Sequence, residues 1–161
     1  MGYILGGHSN ENVEEFRDRF RRYYEYIESI KHLLPSSAYS FATAPWHYNY
    51  SNHRCPHDAW LETVTIQDQQ HQTRDEASKW TTIIHVRLLG AYHDGYIELT
   101  YKNVQSYLLE NHGSDWMTDE VRLSAKGLIE HEIVWLGGRW IIECEDIVYE
   151  WKPFDVTTSA A

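Results

Sequence analysis

Val13, Phe16, Phe20, Tyr23, Ile27, Ile30 and Leu34 recur at spacings of three and four, which gathers them on one stripe of a helix. The stripe predicts an amphipathic helix over about 11–34. Asn12 followed three residues later by Glu15 has the form of a capping box, with Ser9 or Asn10 as alternative caps. Glu15 with Arg19 and Asp18 with Arg22 stand at i,i+4, where opposite charges add a little. Pro35 ends the helix, since it has no N–H and its ring clashes with the preceding turn. The stripe covers barely three heptads, so it reads as a face packed on a sheet and not as a coiled coil.

After a loop over 35–58, dense in aromatic and imidazole side chains, the period changes to two. Strands are predicted at 59–68, 79–90, 95–109, 118–124, 128–135 and 139–151. Turn chemistry separates them at Asp94-Gly95, Lys126-Gly127 and Gly137-Gly138. The polar stretch Asp68 to Ser78 is expected to be a surface loop, and 152–161 a short tail. The resulting fold class is α+β: one domain over 1–161, with an N-terminal amphipathic helix packed on a curved antiparallel meander of about six strands.

Two hairpins can be registered from their turns. A two-residue Asp94-Gly95 loop pairs His93 with Tyr96, and places Leu88, Gly90, Tyr92, Ile97, Leu99 and Tyr101 on one apolar face, with His85, Arg87, Glu98 and Lys102 opposite. A two-residue Gly137-Gly138 loop pairs Trp135 with Trp140, Ile133 with Ile142 and His131 with Cys144 as core. It also sets Glu132 against Glu143 and Glu130 against Glu145 on the other face. In the last strand the alternation breaks between Cys144 and Asp146, which predicts a β-bulge there.

Composition narrows the class. The chain of 161 residues is 42% hydrophobic and 14% aromatic, enough to build a core without disulfides, and its aromatic content argues against disorder. No stretch approaches the ~18 apolar residues of a membrane span, and Met1 to Asn12 has no basic region of a secretion signal. Two cysteines favour a reducing compartment, so the expected location is cytoplasmic. The net charge is -10, and the sheet carries it: residues 11–34 hold six acids and five bases, the remainder eighteen and nine. Such a surface disfavours nucleic acid and suits cations or a basic protein partner.

Two constellations are candidates for chemistry. The loop Trp46 to Asp58 concentrates His47, His53, Cys55 and His57, the ligand types preferred by zinc and other transition metals. Its spacing matches neither a zinc-finger pair nor a metalloprotease motif, and in extended chain residues four apart lie about 13 Å from one another. Cys55 beside two imidazoles also has the makings of an activated thiolate. The second constellation is the ladder Glu130, Glu132, Glu143 and Glu145, whose facing like charges call for a cation, basic neighbours such as Arg122, or a bound partner. Gly6-Gly7 lacks the lysine of a phosphate loop, and His112-Gly113-Ser114-Asp115 reads as a polar turn and not a triad. The leading expectation is a non-catalytic acidic binding protein, of the toxin-neutralising or accessory kind, engaging a basic partner through the sheet face. The alternatives are a metal-binding protein or metal-dependent enzyme using the His47–Asp58 loop, and a small-molecule carrier with an aromatic pocket between helix and sheet. Oligomeric state is not legible.

Overall fold

The computed structural model describes residue 5 and residues 12–73, 76–110 and 115–156. Ser9, Asn10, Gly6-Gly7 and the turn at His112 to Ser114 lie outside the described residues. Helix α1 runs Val13–Ile30 and continues as a 3-10 turn, Lys31–Leu33. Its N-terminus carries the expected capping box: the Glu15 N–H donates to Asn12 Oδ1 at 3.0 Å, and the Asn12 N–H to Glu15 Oε2 at 3.1 Å. With Glu15 so used, Arg19 turns inward and donates to the Leu5 carbonyl, while Asp18 and Arg22 pair as expected. Within the predicted loop 35–58 a second helix forms, α2 (Ser36–Thr43), which begins where Pro35 supplies a ready-made φ.

Eight antiparallel strands follow: β1 (Trp60–Thr73), β2 (Glu76–Leu89), β3 (Gly95–Lys102), β4 (Ser106–Leu109), β5 (Trp116–Leu123), β6 (Ile129–Trp135), β7 (Gly138–Cys144) and β8 (Asp146–Pro153). They make two four-stranded sheets, in the orders β1-β2-β3-β8 and β4-β7-β6-β5. β3 runs into β4 and β7 into β8 through a shared bend, where the Gln105 N–H bonds the Glu143 carbonyl and the Glu145 N–H bonds the Lys102 carbonyl. Asn103 takes φ 47° at the corner, a conformation asparagine tolerates well. The α+β class, with a helix on a curved antiparallel sheet, is therefore as the periodicity indicates. The order is not that of a simple meander, because the final strand lies in the middle of the surface. The irregularity read at Cys144 to Asp146 is this corner, where one residue too many between buried Cys144 and buried Ile147 lets the strand change sheets.

Both predicted registers shift, and both by an even number of residues. Leu89 pairs with Tyr96, Leu88 with Ile97, Val86 with Leu99 and Ile84 with Tyr101, so the loop is the four-residue Ala91–Asp94, with His93 at φ 57°. Likewise Trp135 pairs with Gly138, which makes Leu136-Gly137 the turn. An even shift leaves every side chain on its face, so the core forms as read while its cross-strand partners change. The expected loop Asp68 to Ser78 is instead extended chain: Asp68–Thr73 belong to β1 and Glu76–Ser78 to β2.

The core lies between the inner faces of both sheets and the two helices, with Tyr23, Ile27, Phe41, Leu88, Ile97, Trp116, Ile133 and Ile142 buried. The α1 stripe is buried only in its second half. Val13 is 66% and Phe16 44% exposed, Phe20 packs edge-on against Tyr48 at 5.0 Å, and Tyr23, Ile27 and Ile30 are buried.

Helix α1 does more than cover apolar surface, because it lies along the edge strand β5. The Tyr23 hydroxyl donates to the Val121 carbonyl at 3.0 Å and accepts from the Val121 N–H at 2.9 Å. The Leu123 N–H donates to Tyr26 Oη at 2.9 Å, and the Tyr48 hydroxyl donates to the Asp119 carbonyl at 3.0 Å. Three tyrosines thus satisfy the edge that a further strand would otherwise have to pair. Tyr23→Phe leaves the Val121 N–H and carbonyl buried without that hydroxyl, and should lower the unfolding free energy by about 1–3 kcal/mol in denaturant titration. Unchanged stability would show that the edge does not depend on the tyrosine.

At the far end of the sheet, Trp151 lies across two glycines. A Cβ on Gly95 would sit 2.6 Å from the Trp151 ring and 2.9 Å from the Lys152 carbonyl. Gly95→Ala should lower the melting temperature through overpacking of about 1–3 kcal/mol, and wild-type melting would refute the close approach.

Candidate functional site: a buried acid–base chain

Asp119 is the centre of a hydrogen-bonded chain inside the core. His47 Nε2 lies 2.8 Å from both Asp119 carboxylate oxygens, and its Nδ1 is 2.7 Å from the Phe41 carbonyl. His131 Nε2 is 2.8 Å from Asp119 Oδ2, and its Nδ1 is 2.8 Å from the Tyr101 hydroxyl. All four side chains are buried. Each is delivered by a separate element: His47 by the turn after α2, Asp119 by β5, His131 by β6 and Tyr101 by β3. Val121↔His131 and Asp119↔Ile133 are paired residues across β5 and β6, so Asp119 and His131 sit diagonally on one face.

The donor and acceptor inventory sets the protons. Nδ1 of His47 faces a carbonyl and must carry a hydrogen, while its Nε2 faces a carboxylate, so His47 and Asp119 form an imidazolium–carboxylate pair. His131 satisfies both of its neighbours as a neutral ring, donating from Nε2 to Asp119 and accepting at Nδ1 from the Tyr101 hydroxyl. Burial depresses the His131 pKa below the ordinary imidazole range, in keeping with that neutral form. For Asp119 burial alone would raise the pKa. The His47 charge and the hydrogen bonds from both imidazoles outweigh it and hold the carboxyl well below the usual carboxylate range. Burial raises Tyr101 well above the ordinary phenol value, so it remains a hydroxyl. The chain is thus neutral overall and continuous, each neighbouring pair being joined by a hydrogen bond of 2.8 Å.

An aromatic cleft opens on the other side of Phe41. It has a volume of about 240 Å³ and is lined by Ser37, Ser40, Phe41, Trp46, Val148 and Tyr149. Trp46 stacks on Tyr149 at 4.2 Å and Phe41 on Tyr149 at 5.7 Å. The Phe41 ring also lies 4.4 Å from His47 and 5.5 Å, edge-on, from His131. One aromatic ring is therefore the partition between the cleft and the acid–base chain.

No protein-family model, no curated protein and no solved structure matches this chain. Its chemistry rests on its own geometry.

Of the candidate metal ligands His47, His53, Cys55 and His57, only His47 enters this site, and the four do not share a common point. His53 Nδ1 pairs with Asp94 while its ring stacks on Tyr92 at 4.1 Å. His57 Nδ1 donates to the Met117 carbonyl at 2.8 Å and stacks on Tyr50 at 3.9 Å. The Cys55 thiol donates to the His47 carbonyl at 3.0 Å, and burial pushes it up to about 11, the opposite of an activated thiolate. The loop's imidazoles clip 46–58 to the β2–β3 turn and to β5.

The glutamate ladder is also rearranged. Glu130 faces Glu143, but Glu132 faces Ile141, and Glu145 stands outside the β6–β7 ladder. The expected exposed cluster is mostly enclosed: Glu132 is 3% and Glu143 8% exposed. Arg122 Nη2 bonds Glu130 at 2.6 Å and Glu132 at 2.5 Å, and its Nη1 lies 3.9 Å from Glu120. Arg139 reaches Glu132 at 3.3 Å and Lys126 reaches Glu143 at 3.6 Å. Glu120 accepts from the Leu5 N–H at 2.8 Å. Protein cations therefore already engage Glu130, Glu132 and Glu143, three of the four carboxylates that were expected to meet a basic partner, while Glu145 is exposed.

Asp119, His131 and Tyr101 escaped sequence reasoning as site residues. The available signal was parity: His131 falls among core residues, and Asp119 shares the parity of buried Val121, so each is a polar group on an inward face.

Proposed function

We propose that this protein binds a small, uncharged, ring-bearing molecule in the cleft between α2 and β8. The observation that supports the reading is the wall of Trp46, Tyr149 and Phe41 around an open space of about 240 Å³, with Ser37 and Ser40 at its rim. Ligand sites are concave and largely aromatic, with a few polar groups to orient the ligand, and a space just under the usual ~300 Å³ suits one or two rings. Ser40 offers a hydroxyl for a carbonyl or hydroxyl on the ligand, while the Ser37 hydroxyl donates to Asp146 at 2.5 Å and is left only to accept from a ligand hydroxyl. The test is quenching of tryptophan fluorescence across a panel of small phenols and aryl ketones. Trp46→Leu and Tyr149→Ala are expected to weaken binding by about tenfold or more, whereas Trp80→Leu, on the distant hairpin, leaves it unchanged. No saturable binding in the panel, or binding indifferent to Trp46 and Tyr149, would overturn the reading.

A further inference from the structure

Of the four edge strands, β5 and β1 are treated differently. β5 is covered by tyrosine hydroxyls of α1 and of the following loop, whereas β1 pairs on one side with β2 and, on the other, only through a bridge from Trp60 to Asp115. Past that bridge no described strand pairs with its outer edge. Residues 65–70 are all exposed, and from Gln67 onward β1 pairs with the part of β2 that has no register with β3, so this end of the hairpin lies outside the three-stranded part of the sheet. Two-stranded ribbons are marginal in water by themselves. The stretch Thr63–Gln70 lies between the register irregularities of the strand, and Trp60–Thr73 contains no proline, no lysine and no arginine, so Asp68 is the one charged protection of that stretch.

We propose that β1 is a self-association edge, pairing antiparallel with β1 of a second copy about a two-fold axis at Ile66. Antiparallel pairing of one strand with itself is self-complementary, the arrangement a two-fold dimer requires. Charge and burial together narrow the axis. With the axis at Ile66, the exposed Ile66 meets its own copy, Thr65 faces Gln67, Val64 faces Asp68, Thr63 faces Gln69, and Glu62 faces Gln70, so apolar surface is covered at the centre and no like charges oppose. An axis at Thr65 would set Glu62 against Asp68, and one at Asp68 would oppose two aspartates; like charges directly opposite destabilise a ladder. The dimer turns two projecting ribbons into one four-stranded sheet, supplying backbone partners to the free edge.

Sedimentation equilibrium should show a dimer. Ile66→Lys, which puts two ammonium groups across the axis, is expected to raise the dissociation constant by about tenfold or more. Mixing it with Ile66→Asp should restore a mixed dimer. Ile66→Cys should cross-link under mild oxidation, because facing Cα atoms in an antiparallel pair lie about 4.5–5.5 Å apart, within disulfide reach. Cross-linking remains a readout if the lysine variant does not fold. A wild-type monomer at high micromolar concentration, or a dimer neither weakened by Ile66→Lys nor trapped through Ile66→Cys, would overturn the proposal.

Discussion

Asp119→Ala is expected to lower the unfolding free energy by about 3–5 kcal/mol, because it leaves a buried imidazolium at His47 and a buried donor at His131 without their shared acceptor. Asp119→Asn should be less severe, since its single amide oxygen can still accept from one of the two rings. The acid limb of the stability curve follows from the same groups. Asp119 has its pKa depressed in the folded protein, so its contribution is present above the ordinary carboxylate value and is lost as pH falls towards the folded one. His131 is also depressed: below about 6.5 the unfolded chain takes up a proton that the folded ring refuses, so stability declines there too. Both effects act in one direction. Denaturant midpoints should fall from neutral pH downwards, with a first loss near pH 6 absent from His131→Gln. The charged and titratable groups facing this pair are His47, Tyr101 and Arg122, together with Tyr23 and Tyr48 at the β5 edge. A wild-type profile between pH 7 and about 5 with the same shape as that of His131→Gln would contradict the neutral, buried assignment of His131.

Arg122→Met should also destabilise by about 3–5 kcal/mol, through the network on the opposite face of β5 and β6. Glu120 and Glu132 are paired residues across the two strands, and both are buried. Without the guanidinium, Arg139 alone reaches Glu132, and like charges confront one another out of water. A loss under about 1 kcal/mol, the range of exposed pairs, would mean that the guanidinium is not needed to hold these carboxylates. Triple replacement of Glu120, Glu132 and Arg122 by apolar residues of similar volume should recover most of the loss, as buried ion networks often do.

While α2 and the extended chain over 68–78 went unread and Glu132 and Glu143 proved buried, local pattern alone was sufficient for helix α1, its capping box and the inward apolar face of most strands. Those depend on periods of 3.6 and 2 residues and on burial, which act over a few neighbours. Register was not legible, because Asp94-Gly95 and Gly137-Gly138 each fit more than one loop, and shifts of two or four residues leave the buried faces unchanged. The order of strands was hidden as well, since the bend at Asn103 and Glu145 moves the last strand between elements far from it in sequence. For the site, the dense histidine loop drew attention by composition, yet His53 and His57 serve as surface clips. The chain His47–Asp119–His131–Tyr101 joins residues up to 84 positions apart, and no spacing rule connects them. Only tertiary structure decides which polar side chain meets which, because a buried charge is tolerated solely where the fold brings it a partner.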